Sequence, residues 1–189
     1  DLSRNTSGDL SLSAQAINNN GSSLVASRNL SVSAAQALNN QGATMSAKQH
    51  ATISAGILDN QNKGRVLSTG NLSLNASQLL NDQGGLVTSN GPLTATVGQL
   101  SNRSGEVSSL GAATLNITSL DNVAGLVTAN QGLRITASGA INNQGGKLTS
   151  LDTLTLTAGA VDNSATGLIT SNQALTANVA NLNNHTGQL

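Results

Sequence analysis

The chain contains no Phe, Tyr, Trp or Cys, and a single Met and a single Pro among 189 residues. Without aromatic side chains an ordinary globular core cannot be assembled, so any core must be built from Leu, Ile, Val and Ala. The absence of cysteine excludes a disulfide framework. It leaves the compartment open and suits a chain threaded unfolded through a membrane pore, where a disulfide would block passage. Charge is scarce as well: eight Lys and Arg balance eight Asp and Glu to a formal net charge of zero. Nucleic acid and anionic membranes both select basic surfaces, so neither is an expected partner. No apolar run is long enough to span a bilayer, and no signal peptide is visible. Serine, threonine and asparagine are left to carry the surface.

What the chain does have is a repeat. The stretch Ile141 to Asn163 opens with an apolar residue, a spacer and Asn, passes a glycine turn at Gly145 and Gly146, and reaches a short run around Leu148. Strict alternation follows in Leu154-Thr-Leu156-Thr-Ala158, and Val161, Asp162 and Asn163 restart the cycle. The apolar-x-Asn anchor begins at Ile17, Leu38, Leu58, Leu80, Leu100, Leu120, Ile141, Val161 and Leu182, at spacings of 21, 20, 22, 20, 20, 21, 20 and 21 residues. Its third position forms a turn ladder of Asn19, Asn40, Asn60, Asp82, Asn102, Asn122, Asn143, Asn163 and Asn184. Asp and Asn share the same turn conformations, so Asp82 is an acceptable member of that series. A sustained period of this length is the mark of a solenoid. Residues 1–189 therefore read as one continuous array. It opens inside a coil at Asp1 and stops at Leu189 as another begins, as a fragment of a longer array would.

Each coil offers two sets of inward apolar positions. The longer strand gives Leu30/Val32/Ala34, Leu72/Leu74/Ala76, Leu133/Ile135/Ala137 and their equivalents, with hydroxyl-bearing residues such as Thr155 and Thr157 between them. Period two with polar residues outside describes a half-buried β-strand. Where the middle residue shrinks, at Ala95 and Ala177, the third grows to Val97 and Val179. The shorter strand points Leu24, Met45, Val66, Val87, Val107, Val127, Leu148, Ile169 and Leu189 inward, and a small residue follows two positions on. The anchor supplies the third face. Three short faces per coil make an all-β, right-handed parallel β-helix of about 20–21 residues per coil, with eight to nine coils; the handedness follows from the crossover rule. A coil with about four large aliphatics cannot offset the entropy of ordering its backbone, so stacking is obligatory. In such a helix Asn at the corner can accept a left-handed backbone conformation and hydrogen-bond its neighbours in a ladder, with Gly as the other positive-φ residue.

Candidate chemistry is sparse. Asp59, Asp121 and Asp162 occupy one outward place beside the anchor, three and two coils apart. Separations of roughly 14 and 10 Å suit neither chelation nor paired acid–base work. His50 and His185 fall in turns without a second histidine at ligand spacing. The Gly84-Gly85 and Gly145-Gly146 pairs are followed by no Asp in calcium-repeat register and open no helix over a phosphate. The Thr-x-Thr rows resemble those of ice-binding solenoids, but the positions vary too much to form a regular plane. Asn71-Leu-Ser73, Asn116-Ile-Thr118 and Asn184-His-Thr186 are glycosylation sequons, which a chain of this composition produces by chance. No catalytic, cofactor or metal site is expected, and no small-molecule substrate. One outward column is less uniform and is the candidate contact face: Arg65, Leu86, Glu106, Leu126, Lys147 and Leu168.

The assembled pattern, LDN-x-x-G-x-(L/V)-(T/S)-S-x-x-x-L-x-L-x-A, resembles the repeat of filamentous haemagglutinin-type adhesins. It stands out at Leu120-Asp-Asn122, Ile141-Asn-Asn-Gln-Gly-Gly146 and Val161-Asp-Asn163, and it covers essentially the whole chain. The same repeat builds the stalks of contact-dependent growth-inhibition effectors. The resemblance implies a secreted or surface-held Gram-negative exoprotein exported through an outer-membrane two-partner secretion transporter. It also implies a structural shaft that displays an adhesive or toxic module. The alternative is an adhesin segment whose own face binds a host or bacterial cell-surface receptor.

Overall fold

The computed structural model describes residues 8–189. The opening of the chain at Asp1 lies outside the described residues. Every element is a β-strand, and the strands pair in parallel one coil apart, in two ladders. The short strands, from Ser23–Ala26 to Leu168–Ser171, form an eight-stranded sheet. The long strands form an eleven-stranded sheet, in which two coils contribute a broken pair, Leu10–Ala14 with Ile17–Asn18 and Leu133–Ala137 with Ala140–Asn142. Counting each broken pair as one row leaves nine rows, which is the eight-to-nine-coil parallel β-solenoid read from the sequence.

The long strand carries two of the three faces. In Leu72–Leu80 the buried residues are Leu72, Leu74 and Ala76, and then Leu79 rather than Gln78. The alternation skips at Ser77, and that skip turns the chain onto the third face. Like stacks on like along the rod: Leu74 pairs with Ile53 and Ala95, and Val107 with Val87 and Val127. The inward positions form one contiguous aliphatic core. Ala95 and Val97 are both buried, so the exchange of volume between them is accommodated within a single coil.

The variation between 20 and 21 residues is confined to two corners. The distance in sequence from the inward short-strand residue to the first long-strand residue is constant, as in Val66 to Leu72 and Leu148 to Leu154. At the bend, one residue is added between Ala34 and Leu38 and between Ala137 and Ile141, where pairing is irregular or broken. At the turn after the ladder, one residue is added where two successive residues are left-handed: Asn62 and Lys63, Gln83 and Gly84, Ala165 and Thr166. Elsewhere a single residue takes that conformation, two positions after the ladder Asn, as Gly21, Gly42, Ser104, Ala124, Gly145 and Thr186 do.

This corrects the expectation for the corner asparagines. No ladder Asn has positive φ; the residues that do are often not glycine. The glycine that recurs just beyond them is required for a different reason, close approach. A Cβ on Gly125 would collide with the carbonyl oxygen of Asn102 in the preceding coil and with Asn122 Oδ1. Ala43 takes this place in an early coil and is buried there, so the packing can be rebuilt around a methyl group.

Candidate functional site

The buried polar spine of the rod is a ladder of carboxamides. Asn19, Asn40, Asn60, Asn81, Asn102, Asn122, Asn143 and Asn163 are all buried. Each Nδ2 donates to Oδ1 of the Asn one coil on, at 2.7–2.8 Å, the last bond reaching Asn184. The second Nδ2 proton reaches backbone carbonyls, for example Leu126 O from Asn102 at 3.1 Å and Glu106 O from Asn81 at 3.0 Å. Among the described residues no buried side-chain nitrogen or oxygen lacks a partner.

One ladder residue read from the sequence is wrong. The member in the fourth position is Asn81, not Asp82, and the anchor starts at Leu79, which pairs with Leu58 and Leu100. A carboxylate can only accept, so at this position it would present lone pairs to the Oδ1 of the next Asn. Asp82 stands one residue further, half-exposed. There it accepts from Ser101 Oγ at 2.8 and 2.9 Å and from the backbone N–H of Arg103 at 2.7 Å.

Asp59, Asp121 and Asp162 do share one outward column, which also contains Asn39, Leu80, Ser101, Asn142 and Asn183. Each caps its own turn by accepting the backbone N–H two residues on: Gln61 to Asp59, Val123 to Asp121 and Ser164 to Asp162. Each also receives a side chain from the preceding coil: Gln41 to Asp59 at 2.5 Å, Arg103 to Asp121 at 2.8 Å and Gln144 to Asp162 at 2.8 Å. Hydrogen bonds from the Ser164 side chain and then from its backbone N–H hold the Asp162 carboxyl below the ordinary aspartate value; desolvation opposes them, and Gln144 and Asn183 add smaller lowering contributions. The sequence reading saw the column but not its donors, because the partners lie 18 residues away. Among the described residues no three His, Cys, Asp or Glu side chains are grouped to hold a metal ion.

His50 belongs to a staircase on another corner. Asp9 accepts the backbone N–H of Asn29, Asn29 Oδ1 that of His50, and His50 Nδ1 that of Asn71. The next residue in the row is Pro92, whose own ring removes the N–H that would have continued it. His185 lies in the last turn, where its N–H donates to Asn183 Oδ1. Of the sequon asparagines, Asn71 and Asn116 are exposed, whereas Asn184 receives the last ladder bond.

The candidate contact face is a true column. Arg65, Leu86, Glu106, Leu126, Lys147 and Leu168 pair in unbroken register as the first residues of successive short strands. The charged ends Arg65 and Lys147 are exposed and the four between and beside them half-buried. All but Leu168 line an open groove of about 560 Å³, with the turn residues Lys63, Gly84, Ser104, Ala124 and Gly145 along one side. Ion pairs among the described residues are Arg28–Asp9 and Arg103–Asp121, so Arg65, Glu106 and Lys147 enter none. A second groove, of about 640 Å³, follows the bend past Ala37, Ile57, Gln78 and Gln99, and the sequence reading did not anticipate it.

Compared with known families, the chain matches the haemagglutinin repeat over residues 3–76, 59–122, 101–164 and 146–189. No curated protein and no solved structure matches it.

Proposed function

Because the chain belongs to the haemagglutinin repeat family from residue 3 to residue 189, we propose that it is the shaft of an adhesin-type protein of the cell exterior. On this reading it holds an adhesive or toxic module away from a bacterial surface after export through an outer-membrane two-partner secretion transporter. The observation that carries the reading is the uniformity of the coil. The same Asn bond, at 2.7–2.8 Å, recurs through the described coils. A lattice that regular fixes length and stiffness and leaves each coil interchangeable with its neighbour. The lack of cysteine in the sequence suits passage through a pore in the unfolded state.

A second reading, a receptor-binding face, is favoured by the groove beside the Arg65-to-Leu168 column. Binding of the purified chain to target cells separates the two. A shaft leaves the cells unlabelled; an adhesive face labels them saturably, and alanine substitutions at Leu86, Leu126 and Leu168 abolish the labelling.

A further inference from the structure

The order of residues in the contact column is self-complementary. Read along the rod it runs Arg65, Leu86, Glu106, Leu126, Lys147, Leu168, and the bridged residue of the last coil is Gln188. Read backwards from Leu126, Lys147 faces Glu106, Leu168 faces Leu86 and Gln188 faces Arg65. Within one rod these charges have no ion-pair partner, since a leucine stands between each pair.

We propose that this face pairs with the same face of a second copy, the two rods lying antiparallel and related by a two-fold axis that runs along the strands and through Leu126. That operation places Leu126 against its own copy, Glu106 against the partner's Lys147 and Leu86 against the partner's Leu168. The neighbouring outward residues, Thr88, Ser108, Thr128, Thr149 and Thr170, then oppose hydroxyl to hydroxyl, and no charge among them conflicts. On the turn side Gly84, Ser104, Ala124 and Gly145 are small and let the second rod approach, and the one long side chain there, Lys63, stands at the Arg65 end. Other alignments do worse. A parallel pair in register sets every charge against itself. An antiparallel pair centred on Leu86 matches Arg65 with Glu106 but sets Leu126 against Thr44 and Lys147 against Ser23.

The size of the contact fixes its strength. Five coil steps of about 4.8 Å separate Arg65 from Leu168, and a four-residue strand is about 13 Å wide. The patch is therefore roughly 300–400 Å² per copy, against about 800 Å² per partner in stable complexes. Pairing is weak and reversible in solution, and salt reduces it because its charges are near the surface. The shaft reading does not depend on it, since a rod that stays monomeric is still a shaft.

Sedimentation equilibrium of the chain at increasing concentration and at two salt concentrations tests the proposal. The expected result is a monomer–dimer equilibrium that weakens with salt. Glu106→Lys should weaken it about tenfold or more, and Glu106→Lys with Lys147→Glu should restore it, because the swap recreates both cross-rod pairs. Leu126→Cys, the sole thiol in such a variant, should oxidise to a covalent dimer faster than Leu86→Cys. A monomer at every concentration overturns the proposal. So does a dimer indifferent to Glu106→Lys, which would be the signature of end-to-end stacking through the exposed Leu182 and Leu189. Faster cross-linking through Leu86→Cys would overturn the Leu126-centred alignment in favour of the other. If the monomeric chain binds target cells and Glu106→Lys abolishes that binding, the face belongs to a receptor.

Discussion

A ladder position requires a group that donates and accepts at once, and among side chains of this size only a carboxamide does so. Asn102 shows the requirement most completely: it accepts from Asn81, donates to Asn122 and to Leu126 O, and has 0% exposure. Asn102→Asp should therefore cost about 3–5 kcal/mol, as an uncompensated buried charge does. Asp82→Asn, at the residue the sequence pattern first suggests, should change stability by about 1 kcal/mol or less. Urea unfolding of the two variants checks the assignment, and equal losses would return Asp82 to the ladder. The error was local in origin. Leu79, Leu80, Asn81 and Asp82 satisfy the apolar-x-Asn pattern in two frames; the pairing of Leu79 with Leu58 and Leu100 selects the first, and the extra left-handed residue in that turn takes up the difference. The core was readable without such help, since alternation allows no second frame. Ile135 is fully buried between Leu115 and Leu156, whereas Thr136 faces outward. Ile135→Asp should cost about 4 kcal/mol or more and Thr136→Asp about 1 kcal/mol or less. Similar melting temperatures for the pair would mean that the inward register is shifted by one residue.

At the scale of the element, the strands follow from hydrophobic period and the corners from contacts between coils, which a single strand does not display. The third face was legible as a separate anchor, yet its continuity with the long strand was not, because the skip at Ser77 depends on how Leu79 stacks on Leu58 and Leu100. The staircase from Asp9 to Asn71 was invisible for the same reason: its partners are 20 or 21 residues apart and of different types. The turn around Asp162 offers a direct measurement of such contacts. Its carboxyl is held below the ordinary aspartate value first by Ser164. Stabilisation from a depressed acid is in place above the unfolded-chain value and is lost as pH falls through the folded one. NMR titration of the Asp162 carboxyl should place its midpoint below that of an unstructured aspartate. Ser164→Ala should move it back towards the ordinary value. An unmoved Asp162 midpoint would mean that the Ser164 bond is absent in solution.

For the whole molecule, interchangeability of coils is the property that the shaft reading needs, and the structure selects the coil on which to test it. Removing Gly125 through Gly145 joins Ala124 to Gly146 and takes out the coil that carries the extra bend residue between Ala137 and Ile141. The flanking rows then meet partners of the same kind: Val107 on Leu148, Leu115 on Leu156, and Asn122 on Asn163 to close the ladder. Stability should fall only by one coil and one interface, and the rod should shorten by about 4.8 Å. Removing Gly125 through Leu133 is a smaller deletion with a larger effect. It leaves Ile135 and Ala137 without the start of their strand and unpairs buried backbone groups on both sides. The shorter deletion should therefore unfold well below the whole-coil deletion, and small-angle scattering of the latter should report a folded, shorter rod. In a parent protein that adheres or delivers a toxin, the whole-coil deletion should leave that activity nearly intact. If activity is lost while the rod still folds, the deleted coil makes a contact of its own. The residue to suspect first would be Leu126, at the centre of the outward column.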